Sequence, residues 1–216
     1  KKPAEPDLLQ LFPLYPNDNA VAHIIRDIET SLAFLYSGEN ANITMVSSAI
    51  SQEGKTLVAA SLAWAMSTRE GQRTLVIDAD MRRPRLHQLF QCNEPGPGLS
   101  TILSDKKIRL SHVIRHSRIP GLCYLSAGPV PDDALALLRT QRFVQVIASL
   151  AKYFNNIVID SPPVLCVPDY MPLCHVARRV VMVVRQGQTL REEVRKSASL
   201  MRSVPGTKIV GVLLNR

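Results

Sequence analysis

The segment Ala49–Thr56 has the clearest chemical signature in the chain, because it matches the pattern A-x-x-x-x-G-K-T. A loop of this kind, between a strand and a helix, points backbone N–H groups and a helix N-terminus at phosphate. We expect Lys55 to bridge the outer phosphates of ATP and the Thr56 hydroxyl to bind magnesium. The predicted ATP-binding loop residues are Ser51, Gln52, Glu53, Gly54, Lys55 and Thr56. An ordinary loop ahead of a helix is the alternative interpretation.

Gln52 is unusual for such a loop, since this place commonly carries glycine. A side chain here limits positive φ and the close approach of backbone to phosphate. We therefore expect Gln52 to weaken nucleotide binding.

Two aspartates follow the apolar run Leu75–Ile77, namely Asp78 and Asp80. Ligands bind at the carboxyl ends of strands in open α/β sheets, so both are candidates for catalysis. Asp78 is expected to bind the metal, and Asp80 to accept the proton of an attacking hydroxyl. A helix cap or a solvated turn is the alternative for such a D-x-D pair.

A third aspartate, Asp160, ends the apolar run Asn156–Ile159 and precedes Ser161, Pro162 and Pro163. The two prolines stop the strand abruptly and restrict the exit loop. This arrangement indicates a Walker B carboxylate that holds magnesium opposite Thr56. The alternative is an aspartate that caps the next element.

Short apolar runs that alternate with helical patterns must position these residues. The predicted strands are Ile43–Ser47, Thr74–Asp78, Cys123–Ser126, Asn156–Asp160, Arg179–Val184 and Lys208–Leu214. The predicted helices are Lys55–Thr68, Thr140–Tyr153 and Leu190–Val204. Because the strands are apolar throughout, they should be buried on both faces. The pattern predicts an α/β fold of the P-loop NTPase type, with a mostly parallel central sheet and helices on both faces.

The N-terminal region divides into two parts. Residues 1–20 contain four prolines and little periodicity, which predicts an extended arm or linker. Residues 21–216 should form one P-loop kinase or ATPase domain. Its first element is predicted to be an amphipathic helix, Ala22–Tyr36.

The composition argues against several classes of protein. The four cysteines form no C-x-x-C pair, which argues against a zinc site or a disulfide framework and favours a reducing cytosol. No apolar run is long enough to cross a bilayer, so the chain as given is expected to be soluble. The net charge of +8 is consistent with an anionic partner or simply with a solvated basic surface. No basic run is interleaved with aromatic residues, so no specific nucleic acid is expected.

Taken in order, these motifs resemble the bacterial tyrosine kinases, or BY-kinases. The resemblance covers roughly residues 22–216, and its most specific part is Asp78–Pro84, which looks like the family's Walker A′ motif. It implies autophosphorylation on tyrosine with ATP and magnesium at the cytoplasmic face of the plasma membrane, in capsule or exopolysaccharide export. The implied catalytic residues are Lys55, Asp78 and Asp80, and the implied metal ligands are Thr56, Asp78 and Asp160. Asn215 matches a position that approaches adenine in related ATPases, although an Asn after a strand is as often a turn residue.

The resemblance also implies a membrane-anchored polysaccharide co-polymerase as partner, either separate or as a fused transmembrane half, and leaves a homo-oligomer open. The family's ring-forming helix carries a Glu and two Arg at three-residue steps, whereas this register offers His23, Arg26 and Glu29. A regulatory subunit that binds nucleotide weakly is a second hypothesis. A partitioning-type ATPase is a third, and Ile50 in place of that class's signature lysine counts against it.

Overall fold

A seven-stranded sheet forms the centre of the computed structural model, which describes Asp27, Glu29, Thr30 and residues 42–92, 94 and 96–215. Its strands lie in the order β3-β4-β2-β5-β1-β6-β7. All neighbours pair in parallel except β3 and β4, which are antiparallel. The strands are β1 (Asn42–Ser48), β2 (Thr74–Asp78), β3 (Ile114–His116), β4 (Leu122–Leu125), β5 (Asn156–Asp160), β6 (Arg179–Arg185) and β7 (Lys208–Asn215).

Helices cover both faces of this sheet. They are α1 (Lys55–Ser67), α2 (Leu86–Leu89), α3 (Leu99–Ser104), α4 (Ala134–Leu138), α5 (Gln141–Leu150), α6 (Tyr170–Ala177) and α7 (Arg191–Arg202), with a 3₁₀ turn at Leu110–His112. Leu62 of α1 belongs to the apolar cluster on one face, and Phe143 of α5 belongs to the cluster on the other. Every residue of β2 and β5 is buried, as expected for parallel strands between two helix layers.

The predicted fold class is confirmed. All six predicted strands are present, with ends within one residue of those expected. The antiparallel β3 and the helices α2, α3, α4 and α6 were not predicted. With three residues, β3 is too short to show a pattern of its own, and α2, α3 and α4 have only four to six residues each. Tertiary packing, rather than local propensity, stabilises elements of this length.

The first predicted helix lies largely outside the described residues, as does the predicted arm at residues 1–20. Asp27, Glu29 and Thr30 are helical. Glu29 is buried and forms a two-point ion pair with Arg69, whose Nε lies 2.7 Å from Oε1 and whose Nη2 donates to Oε2 at 3.0 Å. Burial raises the pKa of Glu29, and the Arg69 charge opposes that shift. This pair connects the N-terminal region to the end of α1.

Strand register determines which catalytic candidates meet. β2 and β5 pair so that Asp78 lies beside Asp160, and the phosphate loop begins where the neighbouring β1 ends. All three strands run in the same direction, so their carboxyl ends form one edge. The α/β packing therefore brings the phosphate loop and the aspartates together. No helix among the described residues is long and apolar enough to span a bilayer.

Candidate active site

The phosphate loop occupies residues 49–54, between the end of β1 and the start of α1. The Ser48 hydroxyl donates to the Ile50 carbonyl at 2.8 Å and fixes the first turn of the loop. Gly54 has φ +87°, and a Cβ there would collide with the carboxamide nitrogen of Asn215. The left-handed backbone therefore favours glycine at this position, and any larger residue would also displace the Asn215 carboxamide.

A buried network holds the loop from behind through the Glu53 side chain. The Glu53 carboxylate accepts hydrogen bonds from the backbone N–H of Ile50 at 2.7 Å and of Arg185 at 3.2 Å, and from the Thr189 hydroxyl. The Glu53 carbonyl accepts from Asn215 Nδ2 at 3.0 Å. The Glu53 carboxylate thus faces the protein and connects the loop to residues 185–189, a structural role that sequence reasoning missed.

Gln52 adopts the left-handed conformation, with φ +66°. The Gln52 side chain therefore does not prevent positive φ in this loop, and its expected effect on nucleotide binding stays a prediction. Its carbonyl accepts a hydrogen bond from Arg185 Nη1 at 3.1 Å, which holds the turn. A non-glycine residue in this region costs about 1–2 kcal/mol, so the loop carries local strain.

Asp78 is completely buried and shapes the turn that follows β2. Its Oδ1 accepts from the Asp80 N–H at 3.2 Å, and its Oδ2 accepts from the N–H groups of Arg85 and Leu86 at 3.1 and 3.0 Å. Burial and the nearby charge of Asp160 raise the pKa of Asp78, while the Leu86 N–H opposes this. Its predicted metal-binding and catalytic roles stay predictions, since both oxygens already have partners and the residue does not line the cavity described below.

Asp80 lies where the turn opens into that cavity. Its Oδ2 is 3.3 Å from Lys55 Nζ, and its Oδ1 accepts from the Arg83 N–H at 3.1 Å. Both side chains of the ion pair are largely buried, with exposed fractions of 12% for Lys55 and 7% for Asp80. The structure thus brings the predicted phosphate-binding lysine and the predicted general base into direct contact.

Asp160 is a buried carboxylate without a hydrogen-bond partner among the described residues. It is 1% exposed, and neither of its oxygens has a hydrogen-bond partner among the described residues. Burial raises its pKa to about 7, although the Lys55 charge and the nearby Thr56 hydroxyl act in the opposite direction. Thr56 influences the carboxylate without meeting the geometry of a hydrogen bond.

These residues fit a magnesium ion that is shared with a nucleotide. The two unpartnered Asp160 oxygens and the Thr56 hydroxyl are hard oxygen ligands, as Mg²⁺ prefers. Within the described part of the chain, no three His, Cys, Asp or Glu side chains form a metal cluster. A site with a single free carboxylate suits a magnesium ion whose remaining ligands are phosphate oxygens of the nucleotide. It does not suit an ion that only protein side chains coordinate.

The cavity beside the loop has a volume of about 800 Å³, within the range usual for small-molecule sites. Of the predicted ATP-binding residues, all but Glu53 line it. Among the described residues that line it, Asp80 is the sole acidic one, against five cationic ones: Lys55, Arg82, Arg83, Arg85 and Arg185. This electrostatic imbalance favours an anionic ligand.

A second ion pair, also missed from sequence, connects the turn after β2 to the start of α6. Arg82 donates from Nε to Asp169 Oδ2 at 2.9 Å and from Nη2 to Oδ1 at 3.1 Å. The Asp169 side chain is fully buried. Hydrogen bonding to Asp169 raises the pKa of Arg82. No local pattern could have indicated this contact, because the two residues are 87 positions apart.

Comparisons with known proteins identify tyrosine-protein kinases among the relatives of this chain. No protein-family model matches. The chain is 31% identical over 180 residues to the tyrosine-protein kinase CpsD of Streptococcus pneumoniae, which covers 83% of this chain and 78% of the relative. It is 29% identical over 199 residues to the tyrosine-protein kinase Ptk of Acinetobacter johnsonii, covering 92% of this chain but 27% of the relative. The chain thus spans about a quarter of Ptk. The kinase domain of Escherichia coli ETK superimposes with a TM-score of 0.86 at 30% identity, covering 96% of this chain and 79% of that one.

Replacing Gln52 with glycine should stabilise the fold and tighten nucleotide binding. Glycine adopts φ +66° without strain, so we expect the free energy of unfolding to rise by roughly 0.5–1 kcal/mol after glycine's own entropy cost. Urea denaturation measures this, and titration calorimetry with ATP measures the affinity. The control Gln145→Gly, at an exposed position within α5, should lower stability by about 1 kcal/mol. A loss of stability in Gln52→Gly would show that the left-handed turn is unstrained.

Asp160→Asn should stabilise the metal-free protein more at pH 8 than at pH 5. Because the pKa of Asp160 is raised to about 7 in the folded state, from a usual 3.8, the folded protein binds the proton more tightly than the unfolded chain. Stability is therefore lost as the pH rises from about 4 through 7, and a neutral amide avoids this loss. Thermal unfolding at both pH values, with EDTA present, is the measurement. The exposed Asp132→Asn serves as control, and an equal effect of Asp160→Asn at both pH values would contradict the buried-charge interpretation.

Proposed function

We propose, because this chain belongs to the family of bacterial tyrosine kinases, that it transfers the γ-phosphoryl group of ATP to tyrosine hydroxyls, including its own. The observation that carries the proposal is the contact between Asp80 and Lys55 in a cavity whose other charged lining residues, among those described, are cationic. A lysine on a phosphate loop and a carboxylate beside it are the two groups that phosphoryl transfer to a hydroxyl requires.

Each residue has a separate part in this reaction. Lys55 and the backbone of the phosphate loop hold the outer phosphates of ATP. Asp80 takes the proton of the tyrosine hydroxyl while the tyrosine oxygen forms a bond to the γ-phosphorus. The bond between the γ-phosphorus and the bridging oxygen breaks, and that oxygen leaves with ADP. The 3.3 Å contact between Lys55 and Asp80 keeps the base beside the phosphate-binding charge.

Magnesium, when bound, would neutralise charge on the phosphate oxygens. We assign Asp160 and Thr56 as its protein ligands, since the Asp160 oxygens are buried without partners and Thr56 adjoins them. Asp78 would act mainly on the geometry of the site, through the three backbone N–H groups that it binds. Asn215 would also contact the nucleotide, because it lines the cavity. Its Nδ2 donates a hydrogen bond to the Glu53 carbonyl, which places it next to the phosphate loop.

The cellular setting follows from the family rather than from the site. We assign the chain to capsule or exopolysaccharide synthesis at the cytoplasmic face of the plasma membrane. Its partner would be a membrane-anchored polysaccharide co-polymerase or a fused transmembrane half, with homo-oligomers as a further assembly. The alternative is a regulatory subunit that binds nucleotide weakly, and the expected tightening of binding in Gln52→Gly is consistent with it. Gln52 does adopt a left-handed conformation in the loop, with φ +66°.

Incubation of the full chain with radiolabelled ATP and magnesium should produce phosphotyrosine, detected by acid hydrolysis and amino-acid analysis. Lys55→Met should abolish this signal and leave the fold intact, since the methionine keeps the side-chain volume but removes the charge that holds phosphate. Lys152→Met, at an exposed position, should retain full activity. Unchanged phosphorylation by Lys55→Met would remove the phosphate loop from the mechanism.

Asp80→Asn tests the division of roles among the carboxylates. We expect the rate of phosphotyrosine formation to fall by roughly a hundred- to ten-thousandfold, because the amide cannot take the proton. Affinity for ATP with magnesium should change by less than about 1 kcal/mol, since Lys55, Thr56 and Asp160 are retained. Fluorescent nucleotide titration and the kinase assay are run on the same preparation, with Asp132→Asn as the matched control. A parallel loss of affinity and rate would instead make Asp80 a metal ligand.

A further inference from the structure

Two arginines at the mouth of the cavity have no role in the reaction described above. Arg83 and Arg85 line the cavity and are exposed. Neither guanidinium has a hydrogen bond or an ion pair with any residue that the structure describes. Their cationic neighbours are all engaged: Lys55 with Asp80, Arg82 with Asp169, and Arg185 with the Gln52 carbonyl. Arg83 and Arg85 are therefore the cationic lining residues whose side chains have no partner among the described residues.

The backbone N–H groups of both arginines are hydrogen-bonded to carboxylates of the site. The Arg83 N–H donates to Asp80 Oδ1 at 3.1 Å, and the Arg85 N–H donates to Asp78 Oδ2 at 3.1 Å. Pro84 stands between them, fixes its own φ and restricts the residue before it. The two side chains consequently project from a stiff turn whose position relative to the proposed base is determined by hydrogen bonds.

This placement matches an acceptor better than it matches ATP. In the proposed reaction the phosphates of ATP lie against the phosphate loop and Lys55, whereas Arg83 and Arg85 follow the proposed base, Asp80, on the same turn. A polypeptide that presents its tyrosine to Asp80 must place its flanking residues near this turn. Two unpaired guanidiniums there attract carboxylates and repel lysines.

We infer that Arg83 and Arg85 select the acceptor, binding tyrosine segments flanked by Asp or Glu. This inference rests on the proposed kinase function but makes a separate claim, because it concerns peptide binding and not the transfer of phosphate. The selectivity is electrostatic, so it weakens as salt is added.

The test uses three fluorescein-labelled peptides in which one tyrosine is flanked by glutamates, glutamines or lysines. Their binding to the full chain with magnesium and ADP is measured by fluorescence anisotropy. We expect the glutamate peptide to bind most tightly, and Arg83→Gln/Arg85→Gln to weaken it about fivefold or more, the effect of one to two partly exposed ion pairs. The lysine peptide should bind the double variant no more weakly than it binds wild type.

The matched control is Arg118→Gln/Arg202→Gln, which removes the same charge at exposed positions. Arg118 precedes the start of β4 and Arg202 ends α7 ahead of β7, so both lie toward the opposite edge of the sheet from the cavity. This control should bind the glutamate peptide as wild type does.

The outcomes separate the two claims. Equal binding of all three peptides, or equal loss for all three in Arg83→Gln/Arg85→Gln, overturns the inference. Weaker ADP binding in this variant, with unchanged peptide selectivity, assigns the arginines to the nucleotide and also overturns it. Selective binding of the glutamate peptide that is lost in Arg83→Gln/Arg85→Gln, together with no phosphotyrosine on any peptide when ATP replaces ADP, supports the inference and contradicts the proposed kinase activity.

Discussion

The burial of three carboxylates at one edge of a parallel sheet is the constraint on which this site depends. Asp78 and Asp160 end adjacent strands and are removed from water, and Asp80 follows two residues later. A buried carboxylate is costly unless hydrogen bonds or an opposite charge stabilise its ionised form. The surrounding structure supplies partners to Asp78 and Asp80, and it supplies none to Asp160 among the described residues.

The three carboxylates are treated differently. Asp78 receives backbone N–H groups and thereby orders the turn behind it. Asp80 receives the ammonium of Lys55, so the phosphate loop and the turn after β2 are held together by charge. Asp160 receives neither, and burial raises its pKa to about 7. A cation would stabilise a group in this condition, which supports the proposal that the site takes magnesium together with a nucleotide.

Long-range contacts hold the loops that surround these carboxylates. Glu53 connects the phosphate loop to the end of β6, and Asn215 at the end of β7 holds the same loop through the Glu53 carbonyl. Arg82 and Asp169 connect the turn after β2 to the segment that follows β5. These hydrogen bonds and ion pairs hold the loops together at the edge where the strands end. The distance between Lys55 and Asp80 depends on the positions of these loops.

The sequence by itself determined the fold class and the six strands that form the parallel part of the sheet, and it predicted the phosphate loop and the acidic residues of the site. These features are local: an apolar run, a loop pattern and a strand end can each be recognised within about ten residues. The tertiary structure alone decided that Asp78 is satisfied while Asp160 is not, that Glu53 turns inward, and that Gln52 adopts a left-handed turn held by Arg185. The physical reason is that desolvation and pairing depend on atoms far apart in the chain, 132 positions for Glu53 and Arg185, and no local pattern encodes which of them meet.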